Sequence, residues 1–322
     1  MTRHVVVRAT SRSFGRHTRA GVRLLEDAGY GVLLAGPGGP WPEEKMREYA
    51  CDADALIVGA DQVTRSVLTS SRRLRVVAKH GVGVDNIDLA AAEELGIRVT
   101  YAPGGNTRSV AEMTVAMLLS LWRGLARADA RLRARVWEPM LGREAAGRTL
   151  GIIGLGRIGR AVAILGQALG MRILACDVVQ DPAFADAHGI RYETLEGVLR
   201  QSDAVSIHVP LADETRQLIG SRELAWMRPD AVLVNVARGG IVDEHALAEA
   251  LAHGRLAGAA VDVFEHEPPW DSPLLGFETV LLTPHIAHST QEAMERVDVM
   301  VAEDVRAVLR GEAPAHPVPR GG

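Results

Sequence analysis

The sequence predicts an α/β protein with two doubly wound parallel sheets, and three observations carry the prediction. Short, wholly apolar runs alternate with amphipathic stretches along the chain, the pattern of strands buried on both faces by crossover helices. The length of 322 residues is about twice that of a usual domain, and an apolar fraction of 47% supplies two cores. Only one of the two halves holds a glycine-rich strand–turn–helix, so the halves are separate units.

In chain order, the first strands are expected at Val5 to Val7, Val32 to Leu34, Ala55 to Val58, Arg75 to Ala78 and Ile97 to Val99. The punctuated stretch Ala102 to Thr107 marks the first crossing between units and leads into one long helix, Ser109 to Arg127. Its greasy core, Val110 to Trp122, is too short for a membrane span of about 20 residues and reads as a buried helix. Leu150 to Leu155 begins the second sheet, followed by a helix from Arg157 to Leu169 and a strand at Arg172 to Cys176. Further strands are expected at Ala204 to Ile207, Ala231 to Val234, Ala259 to Asp262 and Val280 to Thr283. A last helix, about Thr290 to Arg310, has no strand after it and returns the chain to the first unit. The Pro/Gly tail beyond it is expected to fray.

The glycine run carries chemistry. Gly154 permits a tight turn, Gly156 lets backbone approach a pyrophosphate, and Gly159 lets the helix pack closely on the strand. Arg157 and Ile158 complete the turn and open the helix, whose amides and dipole face the anion. Asp177 follows Gly159 by eighteen residues, at the end of the second strand, where a carboxylate accepts hydrogen bonds from ribose hydroxyls and repels a 2′-phosphate. Val178 and Val179 come next and bring no arginine, so NAD is expected over NADP.

A net charge of −4 argues against nucleic-acid and polybasic membrane partners. Cys51 and Cys176 lack metal or redox spacing and read as small packing residues in a reducing compartment, with neither disulfide nor metal expected. The N-terminal residues show no signal-peptide apolar region, and a cytoplasmic location is expected.

Three later segments point to keto-acid chemistry. Val234 to Asp243 delivers Arg238, a planar fork for a carboxylate, into a glycine-flanked loop. Ala259 to Pro269 places Glu267 before two prolines that hold its backbone extended. Thr283 to Ser289 sets His285 just beyond a strand, where open α/β sheets bind ligands. Reduction of a keto acid needs a proton on the carbonyl oxygen, which a histidine beside a carboxylate supplies. Glu265 lies close enough in sequence to compete with Glu267 as that carboxylate. Asp243, Glu244 and His245 read as the solvated start of a helix capped by Asp243.

These motifs, with Lys79 to Asp88, Ser109 to Glu112 and His208 to Leu211, resemble the D-isomer-specific 2-hydroxyacid dehydrogenases, most closely the branch of short phosphoglycerate dehydrogenases. The resemblance implies a Rossmann NAD-binding domain, 103–288, inserted in a discontinuous flavodoxin-like substrate domain, 1–102 with 289–322, a cleft that closes on NAD, and a homodimer. It implies that Arg238 binds and polarises the substrate, that His285 is the general acid/base, and that Glu267 raises the His285 pKa. Asp262 would orient the nicotinamide carboxamide. His208, Val209, Pro210 and Thr215 would line the adenosine side, and Val236 and Ala237 the nicotinamide side. Gly81, Val82 and Gly83 with Asn106 would hold the substrate carboxylate, and Lys79 stands where the branch often has a phosphate-binding arginine. His288 replaces a residue that is usually small.

The implied reaction is NAD-dependent hydride transfer on a small anionic D-2-hydroxy or 2-keto acid, with a 3-phosphoglycerate-like acid favoured. Glyoxylate/hydroxypyruvate or lactate-type reduction, phosphite or phosphonate oxidation, and a non-enzymatic NAD-sensing corepressor role are the alternatives. Formate oxidation fits less well, because that relative has glutamine where this chain has Glu267.

Overall fold

A computed structural model of the protein describes residues 4–36 and 40–319. The chain divides into two compact units, residues 1–106 with 289–322, and residues 107–288. The first boundary falls at 106/107 and not at 102/103. The Ala102 amide still bonds to the Gly81 carbonyl at 2.8 Å, and the next helix starts only at Thr107.

In the first unit, strands β1 (Val6–Ala9), β2 (Gly31–Leu34), β3 (Ala55–Val58), β4 (Val76–Lys79) and β5 (Arg98–Thr100) form a parallel sheet in the order β2-β1-β3-β4-β5. Helices α1 (Ala20–Asp27), α2 (Glu43–Ala50), α3 (Arg65–Leu68) and α4 (Leu89–Glu94) connect them. Side chains alternate across the pleat. Leu56, Val58 and Val77 pack with Met46, Val67 and Ala91 on one face, while Val7, Ile57 and Val76 pack with Val22 and Leu25 on the other.

The second unit begins with α5 (Thr107–Arg123) and α6 (Leu125–Arg133). The single helix expected to run to Arg127 is broken at Gly124, whose φ of 60° is left-handed and restarts the chain in a new direction. Then follow β6 (Thr149–Ile153), α7 (Arg157–Ala168), β7 (Arg172–Cys176), α8 (Pro182–Ala187), β8 (Arg191–Tyr192), α9 (Leu195–Gln201) and β9 (Ala204–Ile207). The unit ends with α10 (Ser221–Leu224), β10 (Val232–Asn235), α11 (Glu244–Ala252), β11 (Gly258–Val261) and β12 (Val280–Leu282). The parallel sheet runs β12-β11-β10-β9-β6-β7-β8. Its order reverses between β6 and β9, which opens a crevice at the carboxyl ends of those strands. Ile152, Ala175 and Val234 pack under α5 and α7 on one face, and Ile153, Val205 and Leu233 pack with residues of α9 to α11 on the other.

The chain then returns to the first unit as α12 (Gln291–Arg310), whose Val297, Val301, Val305 and Val308 complete the core face around Val7 and Leu25. Gly21 of α1 lets the two helices meet closely, since a Cβ there would stand 2.4 Å from the Asp298 carbonyl oxygen. Asp298 is fully buried, accepting from the Gly15 amide at 3.0 Å and pairing with His80 Nε2 at 2.7 Å. Two expectations need correction. The tail does not fray before Val318, because the Val318 amide bonds to the Val99 carbonyl and the Tyr101 amide to that of His316, extending the edge at β5. Cys51 is exposed and not packed in a core; both cysteines are free.

Candidate active site

Every strand from β6 to β12 except the short β8 ends in a residue singled out above. Gly154 follows β6, Asp177 follows β7, His208 follows β9, Val236 to Arg238 follow β10, Asp262 follows β11, and His285 stands just past β12.

The glycine turn has the geometry that its residues predict. Gly154 has a φ of 93°, and a Cβ on Gly159 would lie 2.1 Å from the Gly154 carbonyl oxygen, so neither position accepts a side chain. A Cβ on Gly156 would meet nothing within 4 Å, and this residue is exposed at the N-cap of α7, which has no side-chain cap. Arg157 and Ile158 form the first turn of that helix. The arrangement leaves room for a phosphate against backbone amides. Asp177 is half-buried beside the turn, and its carboxylate accepts from the Leu155 amide at 2.6 Å and from Val179 at 2.9 Å. The Leu155 bond, which fixes the acid to the glycine loop, is not legible in the sequence. Val178 and Val179 are exposed next to it.

His208 bonds to Ser206 Oγ through Nε2 at 3.0 Å, while its Nδ1 is buried without a partner among the described residues. Burial pulls its pKa down to about 3, so the ring is neutral and holds an unsatisfied polar atom at the crevice. Val209 and Pro210 continue the segment, and the Thr215 hydroxyl donates to the Pro210 carbonyl at 2.6 Å, folding the chain back on itself. Val236 is buried and Ala237 half-buried after β10.

The catalytic candidates sit at the other end of the same edge. His285 Nδ1 stands 2.9 and 3.0 Å from the two carboxylate oxygens of Glu267. Glu265 has no part in this pair; its amide donates to Glu244. Desolvation pushes the Glu267 pKa up, but the hydrogen bond and positive charge of His285, the Phe264 amide and the charge of Arg238 outweigh it, holding the carboxyl below its usual range. Arg238 is half-buried with a guanidinium donor on the Ala237 carbonyl at 2.7 Å. Its loop lies hard against the Glu267 segment, since a Cβ on Gly239 would fall 1.9 Å from the Phe264 carbonyl oxygen.

Asp262 is fully buried. Its carboxylate accepts from Thr283 Oγ1 at 2.5 Å, Ile286 N at 2.8 Å and Ala287 N at 2.9 Å, and its carbonyl accepts from His285 N at 2.8 Å. His285 itself has a φ of 52°, a left-handed conformation that a non-glycine residue adopts only when its surroundings enforce it. Motif position suggested a cofactor contact for Asp262 but did not reveal this role. The His288 ring meets His285 edge-on, with centroids 5.6 Å apart.

The remaining predicted positions belong to the first unit. Lys79 Nζ donates to the Gly59 carbonyl at 2.7 Å and Asn86 Oδ1 at 2.6 Å. The Gly81 amide bonds to the Lys79 carbonyl at 2.9 Å, Val82 is 37% exposed, and Gly83 is half-buried. Asn106 Oδ1 is buried without a partner among the described residues. Glu244 differs from its expected place: Asp243 caps α11 by accepting from Ala246 N at 2.9 Å, but Glu244 is only 9% exposed because its carboxylate turns inward to Glu265 and Ser272. An acid in the first turn of a helix is favoured by the dipole wherever it points, so its sequence position carried no signal of burial.

Residues 115–287 match the family model of the D-isomer specific 2-hydroxyacid dehydrogenase, NAD binding domain. The chain is 41% identical over 295 residues to D-3-phosphoglycerate dehydrogenase of Methanocaldococcus jannaschii, a match covering 90% of this chain and 56% of that protein. It is 45% identical over 294 residues to glyoxylate reductase of Aeropyrum pernix, covering 87% of each. The fold matches D-lactate dehydrogenase of Aquifex aeolicus, a structure complexed with NAD and lactic acid, at a TM-score of 0.83 and 31% identity over 95% of this chain and 96% of that one.

The Glu267 pair makes stability depend on pH with a definite sign. A carboxyl held below its usual range stabilises the fold above the ordinary glutamate pKa, and that contribution is lost as pH falls through the depressed value. Melting temperatures measured from neutral pH down through the carboxylate range should show wild type above Glu267→Gln at neutrality and converging with it in acid. Parallel curves would show that the pair contributes no pH-dependent stability.

Proposed function

Because the chain belongs to the D-isomer-specific 2-hydroxyacid dehydrogenase family, we propose that it is an NAD-dependent oxidoreductase acting on a small anionic D-2-hydroxy acid and its 2-keto acid. The observation that carries the reading is the Glu267–His285 pair at the same strand ends as the glycine turn. With Nδ1 bonded to the carboxylate, Nε2 is the nitrogen left to face a substrate. His285 then gives a proton from Nε2 to the keto oxygen during reduction and takes it back from the hydroxyl during oxidation. Arg238 provides the fork that binds the substrate carboxylate and polarises the carbonyl. When bound, the nicotinamide supplies or accepts the hydride at C2. The unsatisfied His208 Nδ1, the open space at Gly156 and the position of Asp177 fit NAD. The Gly81 to Gly83 loop and Asn106 are assigned to the substrate carboxylate.

Among acids, a 3-phosphoglycerate-like substrate is the first reading, in keeping with the M. jannaschii relative. Lys79 favours a second one. With two of its ammonium donors on Gly59 and Asn86, it acts as a strut for its loop, which fits an acid lacking a phosphate, as in glyoxylate or hydroxypyruvate reduction.

A homodimer is part of the proposal. Helix α6 buries none of its residues in its own chain, and Leu125, Leu132, Val136, Trp137 and Leu141 are exposed there and in the segment that follows, Leu141 completely. No described helix is long and apolar enough to cross a membrane. The cytoplasm is the proposed location, consistent with two free cysteines.

NADH production from a panel of 3-phosphoglycerate, D-glycerate, D-lactate and sulfolactate, and NADH consumption with glyoxylate and hydroxypyruvate, test the reaction. His285→Ala should lower kcat by about 10²- to 10⁴-fold with little change in NAD affinity; equal losses of both would assign His285 a structural role. Asp177→Ala should weaken NAD binding by about tenfold, from a loss of roughly 1.4 kcal/mol, and relax discrimination against NADP. Unchanged titrations with both cofactors would remove Asp177 from ribose recognition. Trp137→Glu should convert a dimer to a monomer in sedimentation equilibrium, and a monomeric wild-type protein at micromolar concentration would end the dimer proposal.

A further inference from the structure

The loop that carries Glu267 is bonded to a second acid that the reaction scheme leaves unused. Glu244 is the first residue of α11, on the opposite side of the Glu267 loop from His285 in the chain's connectivity. One carboxylate oxygen accepts from the Glu265 amide at 2.7 Å, and the other accepts from the Ser272 hydroxyl. Asp243 already caps the helix, so Glu244 does not serve that purpose. Its two bonds instead reach both ends of the segment 265–272, which contains Glu267. Ser272 extends the clamp, because its amide donates to the Pro269 carbonyl at 3.0 Å and its hydroxyl accepts from Leu274 N at 3.4 Å.

Next to this clamp, Gly239 touches the backbone of Phe264 and Glu265 at a distance that excludes a Cβ, so the Arg238 loop and the start of the Glu267 loop are already one packed body. Beyond that contact the Glu267 loop is open to solvent: His266 and Glu267 are exposed, Trp270 is 77% exposed, and within the loop the Glu267 carboxylate accepts only the Phe264 amide, at 3.3 Å, among the described bonds. A carboxylate in an exposed loop holds a fixed distance to a histidine only if the loop ends are fixed. We infer that Glu244 is a positioning residue that sets Glu267 opposite His285 by fastening the Glu265 amide and the Ser272 hydroxyl. It touches neither substrate nor cofactor in this reading, which rests on the proposed roles of Glu267 and His285.

A double-mutant cycle separates positioning from general stabilisation. With the panel acid of highest turnover, Glu244→Ala should lower kcat by about tenfold in the wild-type background and by less than about twofold once Glu267 is Gln, because a misplaced carboxylate and an absent one are equivalent. Glu244→Gln keeps an oxygen for Glu265 N–H, and its amide can donate to a Ser272 hydroxyl turned to accept; it should restore most of the rate. Ser272→Ala, which removes one of the two bonds, should fall between them and covers the case in which Glu244→Ala does not fold. An activity-independent reading comes from the His285 imidazole resonances, which in Glu244→Ala should move toward their positions in Glu267→Gln. Equal losses in both backgrounds, or imidazole resonances unmoved by Glu244→Ala, would overturn the inference. A Glu267→Gln enzyme with undiminished kcat would instead overturn the catalytic reading on which it rests.

Discussion

The site hangs on one buried carboxylate. Asp262 has no surface, and its oxygens collect donors from Thr283, Ile286 and Ala287 while its carbonyl holds the His285 amide. A carboxyl group out of water is costly unless its polar atoms are satisfied by hydrogen bonds. The chain satisfies them with the turn that carries His285, so the same bonds that make Asp262 tolerable oblige His285 to take a left-handed backbone conformation. The His285 backbone is therefore held by Asp262, just past strand β11, while Glu267 meets the ring at Nδ1.

That division of labour explains the modest exposure of the pair. Glu267 and His285 side chains are each 40% exposed, so the pair is open to solvent. Rigidity comes from groups that are not exposed: Asp262 under one partner, Glu244 behind the other, and the Gly239 contact with Phe264 between the arginine and glutamate loops. The exposed pair is held by a buried frame in which the carboxylates of Asp262 and Glu244 both have hydrogen-bond donors.

The sequence revealed strands well because both sheets are buried on two faces. Leu150 to Ile153 and Ala55 to Val58 have no polar alternation and admit few other readings. The glycine turn was legible because each glycine answers a local steric demand, and the Glu267–His285 pair because motif order named it. What stayed hidden was long-range. Gly124 interrupts an otherwise continuous helical pattern at a cost of only about 1 kcal/mol relative to alanine, too little to distinguish a break from a tolerated residue. Glu244 and Asp262 look like ordinary acids at a helix start and a strand end, since nothing local records which distant amides they accept from. Tail residues 316–318 read as Pro-rich and loose, yet their partners lie more than two hundred positions earlier on β5.

The split of the first unit has a bearing on biosynthesis. Val297, Val301, Val305 and Val308 belong to the same core as Val7, Val22 and Leu25, although all of 107–288 lies between them in the chain. A ribosome making this protein from its amino end exposes the dinucleotide unit in full before α12 emerges. During that interval the apolar face of β1 and α1 has no cover, and the buried His80 has no Asp298 to meet. The inserted unit can therefore close its core before the first unit, which waits for α12.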